Sequence, residues 1–459
     1  MTYDLGLEGG TIVSGSGRCQ GNLYIKDGIV AAIAGERLES RKRRDCSGLF
    51  VLPGMIDGHV HFQDPGDTSR EDFIAGSSAA AVGGATTVIE HTHSHPVRTI
   101  SFLQEKLAHL KGRSVVDYGV AAHVWPDDVS RIDELWRAGV QFFKVFTCTT
   151  HGVPAILPGS LLELFRKVAS FDGLCLVHCE DEFITADNEK RLRELGRKDY
   201  GILLEWRTRE AEQLAASTVA LLARFTGART IIAHVSHPAV LDLVARDRRA
   251  GARLWVESCP QYFYLHEDEV FQHGPLRKFT PPARSEAEAQ TLWQRLAAGE
   301  ITHISTDHAP STLAQKAEGK DDMWQCHFGL PGIQTTLTML LNAVNVGRLT
   351  LEQVVKLTAQ TPAQLYRLWP KKGNLEPGAD ADVVLVDMAD EKTLTNAAML
   401  SKAGWTPYEG FKVKGLPVAT YLRGKLVAQD GKTMAPPGTG KFTPGPGALV
   451  AYNQEKGEI

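Results

Sequence analysis

Apolar and polar positions follow two different rhythms along this chain. Over residues 4–35, short β-rich runs (LGLEGGTIVSG, then NLYIKDGIVAAIAG) are broken by glycine turns, and Lys26-Asp27-Gly28 between two such runs signals a hairpin. From Val51 onward, apolar runs of strand length alternate with amphipathic stretches at helical spacing. The strand candidates are 53–62, 85–90, 117–124, 140–147, 174–179, 230–235, 253–258 and 301–306. Helical candidates lie between them, for example at 70–83, 127–138, 207–226, 237–250 and 284–298. Eight strands separated by helices predict an α/β fold, a (β/α)8 TIM barrel. A doubly wound open sheet would normally carry a glycine-rich phosphate loop after its first strand, and none is present.

Helices at about 330–345 and 350–368 close the barrel region. The stretch GNLEPGADAD at 373–382 then leads into a strand at 383–386, with further strand signals at 411–414 and 417–428 and a turn at Arg423-Gly424-Lys425. Neither β-rich end is long enough to bury a core alone, so the two are expected to pair. The domain organisation predicted is a small flanking β-sandwich built from 1–52 and 375–432, a barrel over 53–374, and an extended tail over 433–459, which is rich in Pro and Gly. The basic stretch Arg41 to Arg44 is expected to be solvated surface.

In a barrel of this type, functional side chains gather at the C-terminal ends of the strands. The first strand runs through VLPGMIDGHVHFQDPG at 51–66. Residues two apart on a strand share a face, so His59 and His61 project together. Such a pair suits a metal, although an isolated His-x-His serves as well as a hydrogen-bonded pair. Strand 4 carries Lys144, strand 5 ends with His178 and Glu180, strand 6 with His234, and strand 8 with Asp307 and His308. Four histidines and an aspartate converging on one face favour the metal. Lys144 lies among Phe143, Val145 and Phe146, where desolvation lowers an amine's pKa. It can snorkel, pair with a carboxylate, or, as a neutral amine, take up carbon dioxide to form a bridging carbamate. His91, His93 and His95 alternate after strand 2. His93 is a candidate for substrate contact, Asp57 for orienting a ligand, His237 for a cap or surface position, and loop 311–328 for either a lid or a plain excursion.

Composition narrows the function classes. The chain has 459 residues, 43% hydrophobic and 23% charged, with a net charge of −4. No basic excess and no basic tract with interleaved aromatics argue for nucleic acid. No apolar run approaches a membrane span, and MTYDLGLEGG lacks the pattern of a signal peptide. The seven cysteines (19, 46, 148, 175, 179, 259 and 326) contain no CxxC, which suggests reduced thiols and a cytoplasmic protein.

The motifs, taken in order, resemble the cyclic amidohydrolases of the dihydropyrimidinase (hydantoinase), allantoinase and dihydroorotase group. The matching stretches are GMIDGHVHFQDPG, GGATTV at 83–88, FKVF at 143–146, VHCED at 177–181, AHVS at 233–236, PQY at 260–262, PPAR at 281–284, STDHAP at 305–310, GLPGIQ at 329–334, GNLEPGADADVVLVD at 373–387 and TPYEGFKVKGLPV at 406–418. The resemblance implies a metal-dependent barrel with a flanking β-sandwich, two zinc or other divalent ions, and hydrolytic opening of a cyclic amide or ureide by a hydroxide shared between the metals. It implies that His59, His61 and Asp307 hold one metal, that His178 and His234 hold the second, and that Lys144, carboxylated on its amine, bridges them. Asp307 is then also the general base and acid. Family members are often dimers or tetramers, so a homo-oligomer is expected, with the tail or sandwich near an interface.

Substrate contacts are expected from Gln63, His93, Thr149, Thr280 and His308. Dihydroorotases usually carry an arginine near the second histidine, where Gln63 stands, and asparagines where His93 and Thr280 stand. Thr149 occupies the position of a hydantoinase tyrosine and is more like an allantoinase. These departures point to an uncharged ring of the hydantoin, dihydropyrimidine or allantoin kind. Dihydroorotate is the alternative. A catalytically silent scaffold relative would have lost metal ligands, and all six are present.

Overall fold

The computed structural model describes residues 2–448. Both chain ends contribute to one nine-stranded mixed sheet. From the N-terminal end come β1 (Tyr3–Ser14), β2 (Gly17–Lys26), β3 (Ile29–Ala34), β4 (Ser40–Asp45) and β5 (Phe50–Pro53). The barrel strands follow: β6 (Met55–Val60), β7 (Ala85–Glu90), β8 (Asp117–Val120), β9 (Ala122–His123), β10 (Phe143–Phe146), β11 (Leu174–His178), β12 (Arg229–Ile232), β13 (Leu254–Ser258) and β14 (His303–Ile304). The chain returns to the flanking sheet with β15 (Val383–Thr393), β16 (Lys412–Leu422), β17 (Lys425–Gln429) and β18 (Lys432–Thr433).

The seam between the two ends is the pairing of β5 with β15, Val51 opposite Leu385. Leu7, Leu23, Val51, Val383, Leu385 and Ala419 share a core separate from that of the barrel. The basic stretch is exposed over Arg41 to Arg43 and half-buried at Arg44, and it is also a strand: β4 pairs parallel with β1 through its backbone. β15 runs well past the apolar 383–386, because backbone pairing with β16 carries the polar half.

The barrel strands form two parallel ladders, β6-β7-β8 and β9 through β14. They join where Ala121 N–H donates to Glu90 O and Gln141 N–H to Val120 O. The ring closes between the first and last strands, His61 N–H to His308 O at 2.8 Å and His308 N–H to His59 O at 3.3 Å. β8 and β9 together occupy the third position, so the eight expected strands are present. Helices pack outside, including Phe73–Val82, Arg209–Thr226, Pro238–Arg249 and Glu286–Ala297. The stretch expected as one helix at 350–368 is broken into Leu351–Val355, a π-helical turn Lys356–Gln360, and Thr361–Leu365. Its last part plugs the N-terminal mouth of the barrel: Ala363, Leu365, Tyr366 and Leu368 pack against the inward-facing Ile56, Ile89, Phe142, Leu176 and Ile231. That end is apolar and filled, which leaves the opposite end for polar side chains.

Gly58 owes its place to this plug. A Cβ there would lie 1.9 Å from Tyr366 Oη and 2.4 Å from its Cζ. Gly58→Ala is therefore expected to destabilise the fold by about 3 kcal/mol, the upper part of the overpacking range. Urea or thermal unfolding of the variant reads this, and an unchanged midpoint would show that the ring is free to move aside.

The Pro/Gly-rich segment after β18 is ordered as far as it is described. It lies against the barrel, with Tyr118 N–H donating to Lys441 O (3.0 Å), Thr443 N–H to Tyr118 O (2.7 Å) and Gly445 N–H to Gly139 O (2.7 Å). A Cβ on Gly440 would sit 1.8 Å from Val116 O, so glycine allows the two backbones to meet. The expected tail thus divides: Thr433 ends β18, 434–448 is a strap, and 449–459 lies outside the described residues.

Candidate active site

The C-terminal end of the barrel gathers the polar strand ends into one buried cluster. On β10, Phe142 and Lys144 point inward while Phe143 and Val145 pack against the outer helices. Strand alternation thus sends the lysine into the barrel between two phenylalanines. On β11 the same alternation places Leu176 and His178 inward and Val177 outward. On β6 simple alternation does not hold. Its register against β7 shifts between Asp57 and Val60, and the shift turns the inward face from Ile56 and Gly58 to His59 and His61. Asp57 secures the bend by accepting from His59 N–H (3.1 Å), Thr306 N–H (3.2 Å) and Thr306 Oγ1 (2.6 Å). His234 and Asp307 follow the ends of their strands in the left-handed region, at φ 37° and 48°. Backbone strain of this kind in residues with side chains is held by the surrounding structure and clusters at functional sites.

Distances among the inward groups match a donor set. Asp307 Oδ1 lies 3.2 Å from both His59 Nε2 and His61 Nε2. Lys144 Nζ lies 3.3 Å from His59 Nε2. His178 Nδ1 and His234 Nε2 are 2.9 Å apart. Three of the four histidines have their other nitrogen committed: His59 Nδ1 to Glu257 Oε1 at 2.7 Å, His61 Nδ1 to His91 O at 2.7 Å, and His178 Nε2 to Glu180 Oε2 at 2.7 Å. A ring N–H donated outward leaves a lone pair facing the cluster, which is what a metal-ligating imidazole needs. His234 Nδ1 has no partner among the described residues and can carry the proton that leaves Nε2 free. Imidazole, carboxylate and amine donors of this kind suit zinc and similar divalent ions.

The electrostatics agree with neutral donors. Burial lowers His61 to about 3, helped by the charge of Lys144. Burial lowers the Lys144 amine to about 8, against the pull of Asp307 and Glu257, which makes its neutral form far more accessible than that of a solvated lysine. Burial raises the Asp307 carboxyl, with His59 and Lys144 opposing. Glu180 is held at about 2: burial pushes it up, and Arg207 and His178 more than compensate.

The pocket above these groups is lined also by His93, Phe146, His151, Thr280, Ala309, Phe328 and Gly329. As these side chains stand the cavity is narrow, about 10 Å³, room for about one water molecule. Loop 311–328 and its end, Phe328, form a fixed wall. Lys278 Nζ donates to Met323 O (2.6 Å) and Cys326 O (2.7 Å), and Lys316 Nζ to Lys278 O (3.0 Å) and His327 O (2.9 Å). Met323, Cys326 and Phe328 share an apolar cluster with Leu192, Leu203 and Trp206.

The other expected contact residues fall in two groups. His93 and Thr280 line the pocket, Thr280 Oγ1 donating to Glu180 Oε2 at 2.7 Å. Gln63, Thr149 and His308 do not. Gln63 is buried and its Oε1 accepts from Ser94 Oγ at 2.9 Å. Thr149 is exposed and bonded to Glu182. His308 is buried between Glu71 Oε2 (3.2 Å) and Gly332 N–H (3.0 Å). His237, expected as a cap or surface residue, stands at the N-terminus of helix Pro238–Arg249 and is buried. Glu257, which closes β13 against His59, is absent from the residues that the motifs single out, and its strand-end position is the signal that could have found it. His151 and Phe328 are absent too, because they sit on irregular loops and carry no periodic signal.

Comparison with known proteins places this geometry. The model of the amidohydrolase family matches residues 50–427. The chain is similar to the L-hydantoinase of Paenarthrobacter aurescens, 32% identical over 447 residues that cover 96% of this chain and 98% of that protein. It is 37% identical to the dihydroorotase of Halobacterium salinarum over 391 residues (84% and 87%) and 33% identical to the allantoinase of Rubrobacter xylanophilus over 465 residues (99% and 99%). Among solved structures, L-hydantoinase (dihydropyrimidinase) from Arthrobacter aurescens superimposes with a TM-score of 0.92 at 32% identity, over 96% of this chain and 100% of that one. A barrel with its polar strand ends gathered at one mouth, a family model spanning most of the chain, and relatives above 30% identity over nearly its full length agree: this chain belongs to the amidohydrolase family.

Proposed function

We infer that the protein hydrolyses the ring C–N bond of an uncharged cyclic amide or ureide, of the hydantoin, dihydropyrimidine or allantoin kind. The observation that carries this reading is the convergence of His59, His61, Lys144, His178, His234 and Asp307 on the floor of one pocket at the polar mouth of the barrel. His59, His61 and Asp307 would hold one divalent ion and His178 and His234 a second, with carboxylated Lys144 between them. Bound zinc or a similar ion would supply Lewis acidity, polarising the scissile carbonyl and lowering the pKa of water.

The chain's own residues do the rest. Asp307 accepts a proton from the attacking water at a carboxylate oxygen as the C–O bond forms. It then returns that proton to the ring nitrogen as the C–N bond breaks, because an amide nitrogen leaves poorly as an anion. Burial favours the protonated form Asp307 adopts between these steps. Phe146 and Phe328 exclude bulk water from one side of the ring, while Thr280 and His93 offer polar atoms to its carbonyl and N–H groups. A cytoplasmic homo-oligomer, a dimer or tetramer, belongs to the same reading. Among the described residues no helix is long and apolar enough to cross a membrane.

The test is a panel of hydantoin, dihydrouracil, allantoin and dihydroorotate on one zinc-reconstituted preparation, read as kcat/KM. With Lys144 carboxylated, no side chain among the described lining residues carries a formal positive charge, because burial holds His93 and His151 well below their usual pKa. Gln63, in place of an arginine, is turned to Ser94. A buried carboxylate without a charged partner costs several kcal/mol, or roughly a hundredfold in binding. An uncharged ring is therefore expected to be opened about a hundredfold more efficiently than dihydroorotate. The Halobacterium relative supports dihydroorotase as the second reading. If dihydroorotate proves best, the specificity argument fails, and the partners to examine are Arg70 and Arg207, which both contact Phe328. No turnover of any ring by metal-loaded protein would overturn the enzyme reading in favour of a silent relative.

A further inference from the structure

Three histidines beside the pocket take no part in the reading above as metal ligands. His91 follows β7, His93 stands two residues further on, and His123 ends β9. One ring nitrogen from each lies within 4.8 Å of the other two. His91 and His123 are fully buried, and His93 faces the pocket. Both ring nitrogens of His91, Nε2 of His93 and Nδ1 of His123 lack a hydrogen-bond partner among the described residues. Buried imidazole nitrogens are normally paired, so four orphans in one cluster mark a place built around something the nitrogens bind.

His91 belongs to two such groups, since one of its nitrogens also lies within 4.8 Å of one each from His59 and His61. His59 and His61 also approach His91, with ring centroids 4.7 and 4.5 Å away. Their nitrogens are already committed, however, outward to Glu257 and His91 O and inward to Asp307. His151 lies 4.6 Å from His93, ring to ring, but its Nδ1 is 3.1 Å from Thr150 Oγ1.

We propose that His91, His93 and His123 form a third divalent-metal site, distinct from the six-donor centre and taking a transition ion such as Zn2+ or Co2+. An all-nitrogen donor set disfavours Mg2+ and Ca2+, which need oxygen. Three protein ligands leave a fourth position of a tetrahedral ion open, and His93 directs that position to the pocket. Zinc–nitrogen bonds of about 2.1 Å need ligand nitrogens roughly 3.4 Å apart in a tetrahedron. Nitrogens up to 4.8 Å apart therefore have to close by at most about 1.4 Å, and His93, on the loop after β7 rather than in the sheet, is placed to supply that movement.

The test counts metal, and its result does not depend on activity. Metal-stripped full-length protein is equilibrated with excess Zn2+ and, separately, Co2+, and bound metal is measured by elemental analysis for wild type, His123→Phe and His93→Asn. Folding of each is checked by circular dichroism. Both variants are expected to hold one equivalent fewer than wild type at the same free metal concentration, and an anomalous difference map of zinc-loaded crystals should show a peak among the three rings. If His123→Phe misfolds, His93→Asn and the map decide alone. Equal metal counts, or no peak among the rings, would overturn the proposal. A Lys144→Ala control separates the two readings, because loss of metal there with the trio's equivalent retained tests the six-donor centre alone.

Discussion

Asp307→Asn is expected to keep the protein's metal and lose turnover by about 100-fold or more, the lower end of what general acid–base catalysis contributes. The substitution preserves shape and one oxygen able to face His59 and His61, both 3.2 Å away. It removes the atom that takes the proton from water and returns it to the leaving nitrogen. Metal content and kcat must be measured on the same sample, because loss of both would describe a broken ligand rather than a missing base. An Asp307→Asn enzyme with full metal and near-normal kcat would eliminate Asp307 as the proton carrier. The left-handed backbone at this position, φ 48°, is one asparagine also tolerates, so the change carries no backbone penalty that could be mistaken for a catalytic one.

Lys144→Ala has the other large expected effect, loss of most of the bound metal and of nearly all activity. The amine sits at the centre of the donor set, 3.3 Å from His59 Nε2, with Phe146 4.9 Å from its nitrogen and no room for bulk water. Its pKa, lowered by burial to about 8, makes the neutral amine accessible, and that form can take up carbon dioxide, turning a buried cation into the anion that two dications require. Without that anion, the remaining histidines and Asp307 would hold two like-charged ions with little to offset their repulsion. Unchanged metal content in this variant would show that Lys144 does not bridge. The paired observations, metal kept in Asp307→Asn and lost in Lys144→Ala, distinguish a proton carrier from a bridge.

The barrel strands, their order, and most of the ionisable groups at their ends were legible in the chain alone. Period-two alternation in Phe142-Phe143-Lys144-Val145-Phe146 already tells which face of β10 carries the lysine, and no later contact alters it. Parallel strands buried on both faces read as short apolar runs, so the barrel was visible as eight of them. The closing strand, expected over 301–306, shrinks to His303–Ile304: Thr302 N–H and Ser305 N–H still donate to Val256 O and Ser258 O of β13, but Thr306 N–H turns to the Asp57 side chain.

Other features came only with the tertiary structure, because they depend on contacts between residues far apart in sequence. The shift in β6 that turns His59 and His61 inward is set by pairing with β7 and by Asp57 reaching Thr306 across the barrel seam. The roles of Gln63, Thr149 and His308 followed from motif position, but side-chain direction sends them to Ser94, Glu182 and Glu71. His151 and Phe328 reach the pocket from loops, and the course of the one that ends at Phe328 is decided by Lys278, Lys316 and an apolar cluster, none of which leaves a periodic trace. Local chemistry is written in the order of residues. Which side chains share a pocket is decided by loop paths and by where strands slip, and those are properties of the closed barrel rather than of any single segment.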